Sequence, residues 1–195
     1  EIPVVSGTGG KPTYLTYPKI GKPYSSEFSK KRPEKVECIV EKGAIGFCAA
    51  YRSGSFPQIA LIGKTLLFGD GTVVHELELT NLSADRLGTE LWLSQGFAHP
   101  IFRPILPYQG RYVQTPASYG SDMDYWDGEL ISETWLFSRN DIPWGMCWPE
   151  EYRIDLQGWH MSLETSLGIL EPHGKRTFGP FYITCGSFTD WKEFR

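Results

Sequence analysis

The sequence predicts an all-β protein built as an antiparallel β-sandwich or barrel, and three observations support this fold class. Apolar and polar residues alternate with a period of two in several segments, most clearly from Val73 to Thr80. No segment of about twelve residues shows the 3.6-residue apolar period of an amphipathic helix. Predicted strands recur roughly every 8 to 12 residues, the spacing of antiparallel sandwiches and barrels. We therefore expect a single β-sandwich domain at 36–195, preceded by an extended arm at 1–35.

The predicted arm holds much of the Gly, Pro, Ser and Lys of the chain, a composition that cannot bury a core by itself. Its spaced aromatic residues favour an extended segment that packs on the main body or on a partner chain, and so predict a homo-oligomer formed through the arm. A disordered tail is the alternative. The aromatic residues are Tyr14, Tyr17, Tyr24 and Phe28.

The segment that follows the arm predicts a series of hairpins. Val36 to Glu41 and Ala44 to Tyr51 are expected to pair across a Lys42-Gly43 turn. Two further strands are expected at Phe56 to Ile62 and at Lys64 to Phe68. The Asp-Gly pair at 70–71 then predicts a tight turn into the strand that begins at Val73.

The central stretch from Val73 to Phe102 supplies the leading functional candidate. His75 falls on the apolar face of its strand, which is typical of a core histidine. After turn residues at 81–85, an apolar run from Leu87 to Leu93 leads to His99, just past a strand end and next to Pro100. We interpret His99 as a functional residue; a loop histidine packed by the proline is the alternative.

The second half of the chain predicts long loops at 101–125 with one short strand at 111–114. A short helix of one or two turns is expected within 188–195. The remaining strands are predicted at 131–137, 145–148, 152–156, 160–164 and 178–185.

Charge and cysteine content restrict the classes of partner. The net charge of -4 argues against nucleic-acid binding, which needs a concentrated basic surface. No apolar run approaches the roughly 20 residues of a membrane-spanning helix, so no membrane partner is expected. The four cysteines lack zinc-ligand spacing, and we expect them to be small buried residues in a reducing, cytoplasmic compartment. A disulfide between Cys38 and Cys48 across their hairpin is the alternative.

Two motifs, and their order along the chain, resemble those of the galactose mutarotase-like, or aldose 1-epimerase-like, proteins. The first is the strand ending in Thr80-Asn81-Leu82-Ser83, followed by Gly96-Phe97-Ala98-His99-Pro100. The second is Leu170-Glu171-Pro172-His173-Gly174 before a closing strand. This resemblance implies a β-supersandwich that holds a sugar on the concave face of its larger sheet, with a histidine as general acid and a glutamate as base.

Candidate site residues follow from the resemblance and from side-chain chemistry. His99 matches the family's His-Pro position, and Glu164 shares a strand face with His160 if the segment is extended. Carboxylates accept hydrogen bonds from sugar hydroxyls, and aromatic faces stack on sugar rings. The acidic run 121–129 does not meet EF-hand spacing, so neither a metal nor a cofactor is expected. The predicted catalytic residues are His99 and Glu164, and the predicted sugar-binding residues are Arg103, Asp122, Asp124, Trp126 and Trp148.

Two functions therefore stay open. The first is a protein that binds or modifies a sugar or oligosaccharide; if it is an enzyme, it is an epimerase or mutarotase-like isomerase. The second is a non-catalytic structural or interaction domain, in which the aromatic residues form the core and the arm docks on a partner.

Overall fold

The computed structural model describes residues 3–5, 12–14, 17–21, 32–52, 56–88, 92–98, 104–114, 125–126, 131–139, 143–149, 152–157, 160–166 and 168–195. These residues form strands joined by turns, with one short helix near residue 190. The strands are β1 (Pro3–Val5), β2 (Pro12–Tyr14), β3 (Tyr17–Gly21), β4 (Lys35–Glu41), β5 (Ala44–Arg52), β6 (Ile59–Leu67), β7 (Thr72–Asn81), β8 (Leu87–Gly88), β9 (Trp92–Ala98), β10 (Pro104–Tyr108), β11 (Arg111–Gln114), β12 (Tyr125–Trp126), β13 (Trp135–Ser138), β14 (Trp144–Cys147), β15 (Arg153–Gln157), β16 (His160–Ser166), β17 (Ile169–Leu170) and β18 (Lys175–Cys185), and the helix is α1 (Trp191–Phe194).

The strands form antiparallel sheets, which confirms the predicted all-β fold class. The largest sheet has nine strands in the order β11-β10-β13-β14-β18-β7-β6-β5-β4. A five-stranded sheet has the order β12-β15-β16-β9-β3, and β1-β2 and β17-β8 form two-stranded sheets. Within the described part of the chain, no helix has the length and apolar content needed to cross a membrane.

The chain divides into two compact units. The first comprises Glu1–Tyr17, Ser94–Thr165 and Ile183–Arg195, and the second comprises Pro18–Leu93 and Ser166–Tyr182. The predicted boundary between an arm and a body at residue 35 stays a prediction.

The second unit contains the predicted series of hairpins. β4 and β5 pair from Lys35↔Ala50 to Glu41↔Ala44, across a turn in which Lys42 and Gly43 both have positive φ, 53° and 79°. Glycine suits the second of these positions because it has no Cβ to clash in the left-handed region. The predicted hairpin between β4 and β5 is confirmed.

One prediction in this unit is wrong, since β6 is a single strand and not two. Gly63, where the sequence suggested a break, lies inside β6 and pairs with Ala49 on one side and Leu77 on the other. Glycine weakens the interior of a strand, but Gly63 is paired with β5 on one side and β7 on the other, and these strands hold it in the sheet.

Alternation along β7 builds the core of the second unit. His75, Leu77, Leu79 and Asn81 are buried, while the residues between them are half-buried. The hydroxyl Oγ1 of Thr65 lies 2.9 Å from Nδ1 of His75, and the His75 ring stacks on Phe181 at 6.3 Å. The prediction that His75 is a core histidine is confirmed.

The first unit contains a second buried cluster, on β10, β13 and β14. Its apolar members include Leu106, Leu136, Phe137 and Met146, all fully buried. The short strand at 111–114 is confirmed as β11, but the prediction of loops at 104–108 is wrong, since these residues form β10. Two prolines made a strand improbable from sequence, yet β10 pairs with β11 on one side and β13 on the other.

The cysteines differ from the prediction in their burial. All four are free, as expected, but Cys38 and Cys185 are exposed. The hairpin register pairs Cys38 with Phe47 and Glu37 with Cys48. Adjacent positions in a strand lie on opposite faces, so the two cysteines do not face each other and the suggested disulfide does not form.

Candidate functional site

The five-stranded sheet holds the residues whose chemistry suits a binding or catalytic site. Strands β15 and β16 form a hairpin with the register Arg153↔Glu164, Asp155↔Ser162 and Gln157↔His160. Because directly opposite residues of an antiparallel pair share one face, these six positions belong together. We call them the polar set: Arg153, Asp155, Gln157, His160, Ser162 and Glu164.

The other face of the same hairpin is apolar. Ile154 pairs with Leu163 and Leu156 pairs with Met161. Leu163 is fully buried, and Thr165, two residues further along β16, is buried as well. The alternation therefore separates an apolar face that contributes to the core from a face on which every position carries a hydrogen-bonding or ionisable group.

The polar set includes one predicted catalytic residue and its predicted neighbour. His160 and Glu164 both lie in β16, which confirms that the segment is extended and that the two positions share a face. Glu164 is opposite Arg153, and His160 is opposite Gln157. Sequence reasoning missed Arg153, Asp155 and Gln157, although a signal was present: two alternating runs separated by the two residues Gly158-Trp159 are typical of a tight hairpin.

Trp126, a predicted sugar-binding residue, lies in β12 and pairs with Leu156. This register places Trp126 in line with the apolar positions of β15, whereas its neighbour Tyr125 pairs with Gln157 and is in line with the polar set. The positions of Trp126 and Glu164 therefore lie on opposite faces of the sheet. Tyr125 is the aromatic position of β12 that shares a face with Glu164.

Four predicted site residues lie outside the described residues: His99, Arg103, Asp122 and Asp124. The strand before His99 is described, however. β9 ends at Ala98 and is the neighbour of β16 in the five-stranded sheet. His99 therefore directly follows a strand adjacent to the one that carries His160 and Glu164.

Trp148, another predicted sugar-binding residue, is 5% exposed. Its backbone N–H donates to the carbonyl oxygen of Thr134 at 3.0 Å. Trp135 is also buried. These two tryptophans are packed side chains, in agreement with the alternative that part of the aromatic content forms the core.

A second cluster, which sequence reasoning did not find, surrounds the carboxylate of Glu133. The indole of Trp135 donates to it at 2.8 Å, the hydroxyl of Tyr112 at 3.3 Å, and the guanidinium of Arg195 at 3.1 and 3.2 Å. The Trp135 indole is the main cause of a lowered pKa for Glu133, and Arg195 adds to it. We call Tyr112, Glu133, Trp135, Trp191 and Arg195 the Glu133 cluster.

The rings of the Glu133 cluster contact one another. The Tyr112 ring lies 4.6 Å from Trp191, and Trp135 stacks on Trp191 at 6.1 Å. The guanidinium of Arg195 lies 5.0 Å above the Tyr112 ring. These contacts attach the segment 190–195 to β11 and β13, so the cluster has a structural role. Tyr112 and Arg195 are 83 residues apart in sequence, so no local motif could reveal the cluster.

No group of three or more potential metal ligands occurs among the residues that the structure describes. Several described acidic side chains near the surface are paired with cations or with backbone N–H groups. Asp190, for example, accepts from the N–H of Lys192 at 2.9 Å and forms an ion pair with Arg139.

Comparison with known proteins identifies the fold but no family. No family model and no curated protein sequence matches the chain. A solved structure of the Slr1438 protein from Synechocystis sp. PCC 6803 superposes with a TM-score of 0.53 at 14% identity. The match covers 78% of this chain and 66% of that protein. A TPR-domain containing protein from Parabacteroides distasonis gives a TM-score of 0.61 at 7% identity, with 89% of this chain and 37% of that protein covered.

A third solved structure is a candidate aldose 1-epimerase from Klebsiella pneumoniae. It gives a TM-score of 0.52 at 12% identity, over 79% of this chain and 54% of that protein. The resemblance to aldose 1-epimerase-like proteins is therefore confirmed at the level of the fold. The chain spans about two thirds of the first of these three proteins, about one third of the second and about half of the third.

Proposed function

We propose that this chain binds a sugar or oligosaccharide on the polar set of the five-stranded sheet. One observation supports the proposal: the β15–β16 register places the positions of one histidine, two acidic residues, one glutamine, one serine and one arginine on one sheet face, while Leu163 and Thr165 on the other face are buried. The shared fold of the candidate aldose 1-epimerase supports the same substrate class.

The residue types of the polar set suit carbohydrate recognition. Glu164 and Asp155 can accept hydrogen bonds from hydroxyl groups, and Arg153 and Gln157 can donate to them. Directly opposite pairs in a sheet lie about 5 Å apart at Cβ, so groups on two strands can contact one sugar ring. His99, Arg103, Asp122 and Asp124 belong to this proposal as residues that would complete the site, and Tyr125, in line with the polar set, is its aromatic position.

As a further part of the proposal, the site catalyses sugar mutarotation. Opening of a cyclic hemiacetal needs a base at the anomeric hydroxyl and an acid at the ring oxygen. Glu164 would take the hydroxyl proton and His99 would protonate the ring oxygen, so that the ring C–O bond breaks as the carbonyl forms.

Binding is tested by calorimetric titration of the protein with glucose, galactose and short oligosaccharides. We expect saturable binding that weakens at least about tenfold in Glu164→Gln and in His160→Ala, because each loses a hydrogen bond to the ligand. Glu171→Gln is the matched control, since Glu171 lies in an exposed turn and pairs with Arg86 at 2.9 Å. Equal binding by Glu164→Gln and Glu171→Gln would remove the polar set as the site.

Catalysis is tested separately by polarimetry of freshly dissolved α-D-glucose or α-D-galactose. The expected result is an acceleration over buffer that falls at least about a hundredfold in His99→Ala and in Glu164→Gln. Binding without acceleration would leave a carbohydrate-binding module and reject the isomerase.

A non-catalytic structural or interaction domain is the second candidate function. The burial of Trp135 and Trp148 and the packing of the Glu133 cluster favour it, since these aromatic residues act within the fold. The absence of saturable binding for every sugar in the titration would select this candidate.

A further inference from the structure

Strand β4 is one end of the nine-stranded sheet. It pairs with β5 on one side, and no strand in the described part of the chain pairs with its other side. An edge strand of seven residues presents unpaired N–H and C=O groups, which are a template for pairing with another strand.

The same edge carries exposed apolar side chains on one face. Val36 is 56% exposed and Val40 is 81% exposed. Ile45 of β5, which is opposite Val40, is 62% exposed, and Leu67 of β6, which is opposite Ile45, is 45% exposed. Further into the sheet, the same face is buried at Leu77 and Leu79. The apolar face of the sheet thus continues beyond the part that the core covers, up to β4.

We propose that β4 pairs antiparallel with β4 of a second copy of this chain, in a two-fold symmetric register centred on Cys38. The β4 edge belongs to the nine-stranded sheet, whereas the proposed sugar site lies on the five-stranded sheet. The proposed pairing also differs from the predicted contact through the N-terminal arm, because the surface consists of β4 and its neighbours.

The order of side chains along β4 selects this register. A pairing centred on Cys38 places Val36 opposite the second copy's Val40 and Lys35 opposite its Glu41. Both contacts occur twice by symmetry. On one face valine then meets valine, and on the other face Lys35 meets Glu41 while Glu37 lies opposite Ile39, so no like charges are directly opposite each other.

The neighbouring registers are worse. Centring the pair on Ile39 places Glu37 opposite Glu41, and centring it on Glu37 places that carboxylate opposite its own copy. Like charges directly opposite each other in a sheet are destabilising. A shift by a single residue would place the apolar face of one copy beside the charged face of the other.

Valine pairing supplies most of the expected stabilisation. Lys35 already lies 2.7 Å from Glu37, and Glu41 lies 2.6 Å from Lys64 within the chain. An exposed ion pair between copies therefore adds little affinity, but it favours the Cys38 register over the others.

The test is sedimentation equilibrium over about three decades of protein concentration, applied to single and paired substitutions. Wild type is expected to show a reversible monomer–dimer equilibrium. Val36→Lys and Val40→Asp should each raise the dissociation constant at least about tenfold, because each places a charge opposite a valine. The double variant should return to within about threefold of wild type, since Lys at 36 then meets Asp at 40 of the other copy.

Ile169→Asp is the matched control, because Ile169 is 60% exposed but lies in β17, outside the β4 edge. The dimer dissociation constant of the Ile169→Asp variant should equal that of wild type. Circular dichroism of each variant checks that the fold is kept. A wild-type monomer over the whole concentration range would overturn the proposal, and a double variant as weak as the single variants would overturn the register.

Chemical cross-linking of wild type gives a test that needs no charge substitution. The symmetric register brings the two copies of Cys38 together, so a short bismaleimide should link them into a covalent dimer. The linked dimer should disappear in Cys38→Ser and persist in Cys185→Ser, in which the other exposed cysteine is removed. Cross-linking that survives Cys38→Ser would reject the arrangement.

Discussion

Asn81 shows why one residue of the Thr-Asn-x-Ser motif matters physically. It is fully buried, and its amide nitrogen donates to the carbonyl oxygens of Asp85 at 2.8 Å, Glu171 at 3.0 Å and Leu170 at 3.3 Å. Its side-chain oxygen accepts from the backbone N–H and the hydroxyl of Ser83, at 3.0 and 2.8 Å. One side chain therefore joins the end of β7 to a turn some 90 residues later.

We predict that Asn81→Ala lowers the free energy of unfolding by about 3 kcal/mol, because three carbonyl groups lose their amide donor at a fully buried side chain. Urea denaturation measures this change. Ser83→Ala, which removes one hydroxyl and leaves the amide in place, should cost about 1 kcal/mol. Equal costs for the two substitutions would contradict the role assigned to the amide.

The sequence predicted the sheet face of some residues but not their partners on neighbouring strands. His75 was predicted correctly because strand alternation is local and fixes which face a residue occupies. His160 and Glu164 were predicted to share a face for the same reason. Their neighbours Arg153 and Gln157 were not predicted, since cross-strand partners depend on the hairpin register.

At the scale of elements, helix α1 depends on a close approach to β14. The Phe194 ring lies against Gly145, and a Cβ at residue 145 would stand 2.6 to 2.8 Å from three ring carbons. Phe194 also contacts Phe137 and Phe188, at 5.7 and 5.6 Å between ring centroids. Glycine at 145 is therefore required for this docking, because any side chain would displace the ring.

Gly145→Ala is expected to lower the free energy of unfolding by about 1 to 3 kcal/mol and to change the tryptophan emission of Trp135 and Trp191 as α1 moves. The matched control is Gly69→Ala, at a position where a Cβ would meet no atom within 4 Å. In a Phe194→Ala background, the cost of Gly145→Ala should fall below about 0.5 kcal/mol. An undiminished cost there would show that the ring is not the cause.

The attachment of segment 190–195 should also depend on pH. The pKa of Glu133 is lowered by the Trp135 indole and by Arg195, and the pKa of Asp190 is lowered by the Lys192 N–H and by Arg139. A lowered folded pKa means that the ionised form stabilises the folded state. The contribution is complete above the usual carboxyl pKa of about 4 and is lost as the pH falls through the lowered folded values.

Tryptophan fluorescence during urea denaturation, at several pH values between about 7 and 3, measures this contribution. We expect wild type to be more stable than Glu133→Gln at neutral pH, and the difference to shrink toward zero in acid. A difference that stays constant over this range would contradict an ionised Glu133 as the stabilising group.

Element boundaries were predicted well where turn chemistry was strong and poorly where a residue acts against its usual preference. The Asp-Gly turn before β7 is confirmed, with the Asp70 carboxylate accepting from the N–H of Thr72 at 2.9 Å. Gly63 and the prolines of β10 misled the prediction, because neighbouring strands hold these residues in the sheet. Tertiary hydrogen bonding there overrides local preference.

For the whole molecule, a sugar that binds the folded chain must raise its thermal stability. At a ligand concentration about 100 times the dissociation constant, linkage gives about 2.7 kcal/mol. For a chain of this size that corresponds to an increase in Tm of about 5 to 10 °C. Differential scanning calorimetry with the tightest ligand from the titration measures the shift, which should be smaller in Glu164→Gln at the same sugar concentration. An equal shift in both proteins would place binding elsewhere.

The strand character of most segments, the fold class and the separation of apolar from polar faces could be predicted from the amino-acid sequence. These properties follow from the period of two and from turn residues, which act over a few neighbouring positions. Four features could be seen only in the folded chain: the order of strands in the sheets, the partners of Glu164 and Asn81, the docking of Phe194 on Gly145 and the exposure of the β4 edge. Each of these joins residues distant in sequence or depends on which surfaces remain uncovered, and local periodicity carries no information about either.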